Sequence, residues 1–224
     1  SDLSHSLSDF FGEAILFCLD FAVNQSTDGA LLYRMHDDFW FWSPDHAECV
    51  KAWKTVGKYT EMMGVSLNQV KTGTVRIGRD TSKTLKVDPS LPEGQIRWGL
   101  LYLDPKSGRF EINQSMINSH IEELRQQLKD KDKSVFTWIQ AWNTYATTFF
   151  TTNFGKPANC FGREHVDKIL ATHARIHRTI FSSNVSVAEH LKETLKTRFG
   201  IEGVPDGFLF FPVELGGLDL QSPF

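Results

Sequence analysis

Two carboxylates stand side by side in the run Leu31-Leu32-Tyr33-Arg34-Met35-His36-Asp37-Asp38-Phe39-Trp40-Phe41-Trp42. Adjacent carboxylates repel, and aspartate is a poor strand former. Yet Asp37 and Asp38 are flanked by arms of Leu, Tyr and Met on one side and Phe and Trp on the other, the composition of strands. A chain that needed only a turn would use Asn-Gly or Asp-Gly. A divalent cation would remove the repulsion. Hard oxygen ligands suit magnesium, which takes one or two carboxylates together with substrate phosphates. Two such ions, one at the attacking and one at the leaving oxygen, are the arrangement of phosphoryl transfer. The same pair also fits a solvated turn without metal.

The elements that must hold this pair follow from periodicity. Before it, Leu7, Phe10, Phe11, Ala14, Phe17, Cys18 and Phe21 recur at helical spacing, with Ser6 or Ser8 as cap. Asp20 reads as a surface carboxylate of that helix, which ends in the turn chemistry of residues 24–29. After the hairpin, Ser43-Pro44 reads as the start of a second helix and Gly64 as its stop. Short strands are expected at 65–67 and 74–77, around the polar turn Asn68-Gln69-Val70-Lys71-Thr72-Gly73. Residues 79–94 read as an exposed loop. Residues 96–104 and 109–112 form a second hairpin around Pro105-Lys106-Ser107-Gly108.

The second half is helical. One stripe runs through Ile112, Met116, Ile117, Ile121, Leu124 and Leu128. Another runs through Val135, Trp138, Ile139, Trp142, Tyr145, Ala146 and Phe149. A third carries Val166, Ile169, Leu170, His173, Ile176, His177 and Ile180. Ser186 with Glu189 is a capping box for a fourth helix. Residues 203–224 read as loop with short strand. The fold class is α+β, with a boundary near Asp130 separating a mixed part, 1–129, from a helical part, 130–224.

The totals exclude little. The chain has 224 residues, a net charge of -3 and a hydrophobic share of 41%. That charge does not announce a nucleic-acid binder, although a local basic face remains open. Cys18, Cys49 and Cys160 fit neither a zinc spacing nor a disulfide framework, so buried free thiols in a reducing, intracellular compartment (nuclear or cytoplasmic) are expected. No signal peptide or membrane-spanning stretch is expected. The missing initial Met suggests a fragment or processed product. His173 and His177 stand at ligand spacing without a third ligand and read as packing residues; Trp40 and Trp42 read as core.

The order of these motifs resembles the reverse transcriptase superfamily, from the second half of the palm through the thumb. His36-Asp37-Asp38 looks like motif C. The run Leu67-Asn68-Gln69-Val70-Lys71-Thr72 looks like the end of motif D, and Trp98-Gly99-Leu100-Leu101 resembles motif E, the primer grip. The acidic hairpin, the Asn…Lys-Thr turn and the Trp-Gly-Leu hairpin are similar to telomerase reverse transcriptases. Phe211-Pro212-Val213-Glu214-Leu215-Gly216-Gly217-Leu218 is more like the ends of intron-encoded and non-LTR enzymes. An element-derived cellular gene, a fungal one among them, would fit equally.

The resemblance implies a partial palm followed by an all-helical thumb, and RNA-directed DNA polymerase activity, a nucleotidyl transfer. Asp37 would be the main magnesium ligand and Asp38 the supporting one. Lys71 would approach the triphosphate and protonate the leaving pyrophosphate. Trp98, Gly99 and Leu100 would hold the primer end. Arg163, Lys168, Arg175 and Arg178, with His177, would meet the phosphates of a template-primer duplex. One departure matters: residues 1–24 already look like motif B and its helix, so the third metal-binding Asp, of motif A, has no place here. The implied partners are an incoming nucleotide triphosphate, the duplex, and a fingers-and-palm portion of the same protein or another chain. This chain alone would then be incomplete and inactive. A catalytically inactive, polymerase-derived binding or structural module is the alternative; a nuclease has no use for motifs D and E. A palm lacking its first strand leaves a sheet edge open to partner strands or self-association.

Overall fold

The computed structural model describes residues 2–80, 83, 85–131, 133–155, 162–181 and 186–222. The fold is mixed α+β with small antiparallel sheets. It divides into two compact units, Ser1–Ile96 and Arg97–Phe224.

The first unit contains helix α1 (Asp2–Ser26), strands β1 (Tyr33–Met35) and β2 (Asp38–Trp40), and helix α2 (His46–Met63). Leu19 and Val23 of α1 pack on Ala52, Val56 and Tyr59 of α2, with Leu32, Phe39, Phe41 and Trp53 at the margin. The Tyr59 hydroxyl donates to the Ile15 carbonyl, and the Thr55 hydroxyl donates to Ser26 Oγ at 2.8 Å. The start of α1 lies further upstream than Ser6 or Ser8 predicted. Ser is tolerated inside a helix, and no Gly or Pro interrupts the preceding turn. The predicted apolar face of α1 is exposed instead of buried, and the core face is the one carrying Leu19 and Val23. Helix α2 is capped by Asp45, which accepts from the Ala47 N–H at 2.9 Å, not by Ser43; Ser43 Oγ accepts from the Asp45 N–H instead. Gly64 stops it in the left-handed region, φ 65°.

The strands expected at 65–67 and 74–77 do not form. Thr72-Gly73 and Gly94-Gln95 touch so closely that a Cβ on Gly73 would sit 2.5 Å from Gly94 backbone atoms. The two ends of this stretch thus meet, and a strand exists only where another pairs with it.

The second unit opens with a three-stranded antiparallel sheet in the order β3 (Arg97–Trp98), β4 (Leu101–Leu103), β5 (Phe110–Ile112). The single strand expected over 96–104 is folded in two at Gly99. The turn between β4 and β5 is fastened by Asp104, whose carboxylate accepts from the Ser107 N–H at 2.7 Å; these N–H donors hold its pKa below the usual carboxylate range. Helices α3 (Gln114–Asp130), α4 (Val135–Thr152), α5 (Arg163–Ile180) and α6 (Val187–Phe199) follow. Ile112 belongs to β5, and Asn113 caps α3. The capping box of Ser186 and Glu189 forms as the sequence implies.

One core joins Leu100, Leu101 and Ile112 of the sheet to Ile117, Leu124, Trp142, Ile176 and Leu191 of the helices. That shared core is why the units divide at Ile96–Arg97 and not near Asp130. The tail contains a short helix α7 (Asp206–Phe210) and a 3-10 turn (Val213–Leu215) where short strand was expected. It then returns to α4: Trp142 Nε1 donates to the Gln221 carbonyl at 3.0 Å, and Asn143 Oδ1 accepts from the Gln221 N–H at 2.8 Å. Cys18 is exposed, against expectation, and Cys49 is partly buried; both are free thiols. Cys160 lies outside the described residues. No described helix is long and apolar enough to cross a membrane.

Candidate active-site hairpin and its surroundings

The acidic run folds as the expected hairpin. Tyr33 pairs with Trp40, Arg34 with Phe39 and Met35 with Asp38, leaving His36 and Asp37 as a two-residue turn. Such turns match the strand twist only with positive φ. His36 supplies it at φ 55° without being glycine, a conformation that costs a non-glycine residue free energy and clusters at functional sites. Asp37 and Asp38 are both exposed at the tip.

The hairpin is braced from α1. Arg34 Nη2 donates to Glu13 Oε2 at 2.8 Å, Arg34 Nε donates to Asp20 Oδ2 at 3.2 Å, and Nη1 donates to the His36 carbonyl at 3.1 Å. The hydrogen bond with Glu13 raises the guanidinium pKa above its ordinary value, and the same bond lowers that of Glu13. Asp20, read as a surface carboxylate, is thus half of a clamp. The basic residue inside an apolar arm was the available sequence signal for it. Trp42 is 70% exposed and stacks on Tyr33, centroids 6.3 Å apart, so it is not the core residue expected. Among the described residues no group of three His, Cys, Asp or Glu is placed to hold a metal.

Lys71 sits in the same unit as the hairpin and is exposed. Its turn is tied by Asn68, whose Oδ1 accepts from the Val70 N–H at 3.0 Å and whose carbonyl accepts from the Lys71 N–H at 3.0 Å. Among the described residues no hydrogen bond or ion pair links Lys71 to Asp37 or Asp38.

In the second unit, Trp98, Gly99 and Leu100 form a tight turn. Trp98 is 47% exposed, whereas Leu100 is 1% exposed and belongs to the core. Gly99 has φ 55°, and a Cβ there would lie 3.1 Å from the Asn153 carbonyl oxygen. The Leu100 N–H donates to that same oxygen at 3.2 Å. The end of α4 thus fixes the turn and presents the Trp98 ring outward.

The four cations of α5 are not equivalent. Arg163 pairs with Asp167 at 2.8 Å, on its own helix. Lys168 lies 2.7 Å from Glu111 and 3.0 Å from Glu164, which together raise its pKa. Arg175 donates to Asn118 Oδ1 at 2.6 Å and Gln114 Oε1 at 2.7 Å, both neutral, so its charge stays uncompensated by these partners. Arg178 is exposed. Arg175, Lys168, Thr172, Gln114 and Tyr102 line an open groove of about 570 Å³ between β4–β5 and α5. The internal partners Glu111, Gln114 and Asn118 carry no spacing signal and escaped the sequence reading.

His173 and His177 pack, as expected. The His173 ring meets Phe154 edge-on at 5.1 Å, and His177 meets Trp142 at 5.5 Å. Burial drives the His173 pKa down to about 4 and lowers that of His177. His165, not singled out by sequence, is buried with Nε2 donating to the Phe154 carbonyl at 2.9 Å.

No family model, no curated protein and no solved structure matches this chain.

Proposed function

We propose that the chain is the palm-and-thumb portion of a reverse transcriptase, acting in nucleotidyl transfer to a primer 3′-hydroxyl. The observation that carries this reading is the acidic hairpin. Two adjacent carboxylates stand exposed at the tip of the hairpin, Asp37 in the turn and Asp38 at the start of β2, next to the strained backbone of His36 and braced by a three-point Arg34 clamp. A turn with no task has no need of that clamp or of paired carboxylates.

In this reading Asp37 and Asp38 would hold magnesium, together with an aspartate supplied from outside these residues, and the bound ion would supply charge neutralisation at the reacting phosphate. The primer 3′-hydroxyl gives up its proton to solvent as its oxygen attacks the α-phosphorus, the bond to pyrophosphate breaks, and Lys71 delivers a proton to that leaving group. The remaining catalysis is positioning, which suits a rigid hairpin. Trp98 offers a face for stacking on the primer end, and Gly99 permits close backbone approach. Arg175 and Arg178 meet duplex phosphates, while Lys168 and Arg163 hold their own acidic partners. Those engaged cations favour a second reading, in which α5 is structural and the chain is a catalytically inactive, polymerase-derived module.

Primer extension on RNA and DNA templates with magnesium tests the proposal. The full gene product containing this chain is compared with its Asp37→Asn variant and with this chain alone. Extension by the full product that is lost in Asp37→Asn, with folding intact, is expected. No extension on either template, with duplex binding retained, leads to the inactive module. Unchanged extension by Asp37→Asn removes the metal assignment.

A further inference from the structure

Helix α1 is apolar on two opposite faces. One, carrying Leu19 and Val23, is buried against α2. The other runs from Leu7 to Phe21 and is bare: its four phenylalanines, Phe10, Phe11, Phe17 and Phe21, are 57% to 65% exposed. At about 100° per residue the two faces lie on the order of 180° apart. A helix apolar on both sides is the signature of one that is covered on both sides.

The bare face has a seam of 3-4-3-4 spacing through Leu7, Phe10, Ala14, Phe17 and Phe21, the a/d pattern of a helix that pairs with another helix. It also maps onto itself. Reversing the helix about Ala14 puts Leu7 opposite Phe21, Phe10 opposite Cys18 and Phe11 opposite Phe17. Ala14 then faces its own copy, the one small residue at the point of closest approach. A two-fold interface must be self-complementary in this way. We propose that this face pairs antiparallel with the same face of a second copy of the chain, about an axis at Ala14.

Charge and area agree. No charged side chain falls on the seam, and Glu13 and Asp20, off to its side, are already held by Arg34. Antiparallel pairing opposes the helix dipoles. Four phenylalanines at this exposure, with Leu7 and Cys18, present roughly 600 Å² per copy, close to the ~800 Å² per partner of a standard interface. This pairing does not depend on the chemistry proposed for the acidic hairpin.

Sedimentation velocity on the chain across a wide dilution series tests it, with Ala14→Arg and Ala14→Cys as variants. Like charges at the axis should convert a dimer to monomer while the far-ultraviolet circular dichroism stays unchanged. Ala14→Cys, with the three native cysteines replaced by Ser, should form a disulfide-linked dimer on mild oxidation. Helix axes ~8–10 Å apart bring facing Cα atoms within disulfide reach. The cross-link keeps the proposal open to test should the arginine variant misfold. A chain that is monomeric at every concentration overturns it. So does a dimer indifferent to Ala14→Arg, which would use another surface.

Discussion

Arg34 on β1 and Glu13 on α1 are joined end to end, Nη2 to Oε2 at 2.8 Å, and the same guanidinium reaches the carbonyl of His36 in the acidic turn. The helix therefore sets the position of the turn, and the strands follow. Arg34→Ala should lower the melting temperature of the chain by only a few degrees, since its acidic partners are partly solvated. Hydrogen exchange at Asp37 and Asp38 should rise by much more than at the α2 core. Equal acceleration at both places would show that Arg34 serves general stability.

Gly99→Ala should destabilise the second unit by about 1–2 kcal/mol, from positive φ and a Cβ pressed on the Asn153 carbonyl. Chemical denaturation with tryptophan fluorescence measures it. A neutral substitution would mean that the end of α4 yields, and that the turn is less firmly held than its geometry implies.

The helical unit should lose stability in mild acid. His173 has a folded pKa of about 4 against an ordinary 6.5, so the unfolded chain binds the proton first. The contribution is fully present above pH 6.5 and is lost as pH falls from there towards 4, up to about 3 kcal/mol at the low end. His177, lowered by burial as well, acts in the same direction. Denaturation midpoints at several pH values should fall through that window, and His173→Gln should flatten the fall. A midpoint independent of pH there would contradict the buried neutral imidazole.

Arg175→Glu with Arg178→Glu should weaken duplex binding and reduce the magnitude of the slope of log affinity against log salt by about 2. Lys168→Gln should change that slope less, since its charge is spent on Glu111 and Glu164. An unaltered slope in the double variant would remove α5 from the nucleic-acid surface.

Much of the helical half was legible because its signals are local. The stripes from Ile117 to Leu128 and from Trp138 to Phe149, and the box of Ser186 with Glu189, depend on neighbours three or four residues away. The acidic hairpin was legible for the same reason. What failed depends on distant groups. The apolar periodicity of α1 was visible, but two faces qualify, and only the position of α2 chooses Leu19 over Phe17. The strand expected through Trp98 bends at Gly99 because Asn153 occupies the space beside it. Residues 74–77 have strand composition but pair with no strand among the described residues. At the candidate site, Asp37 and Asp38 were visible in one dimension, while the clamp from Glu13 and Asp20 joins residues 21 and 14 positions away from Arg34.

The seat of Trp142 bears on the order of events during synthesis. Its indole is fully buried, and its N–H is satisfied by a carbonyl 79 positions downstream. The first unit packs Leu19 and Val23 on Ala52, Val56 and Tyr59, residues that leave the ribosome before the second unit, whereas the second cannot close until Gln221 has emerged. Long-range closure of this kind is slow relative to helix formation. Helices α3 to α6 should therefore wait with the indole wet and a seam of apolar surface open, the interval in which a nascent chain is most open to chaperones and to mispairing.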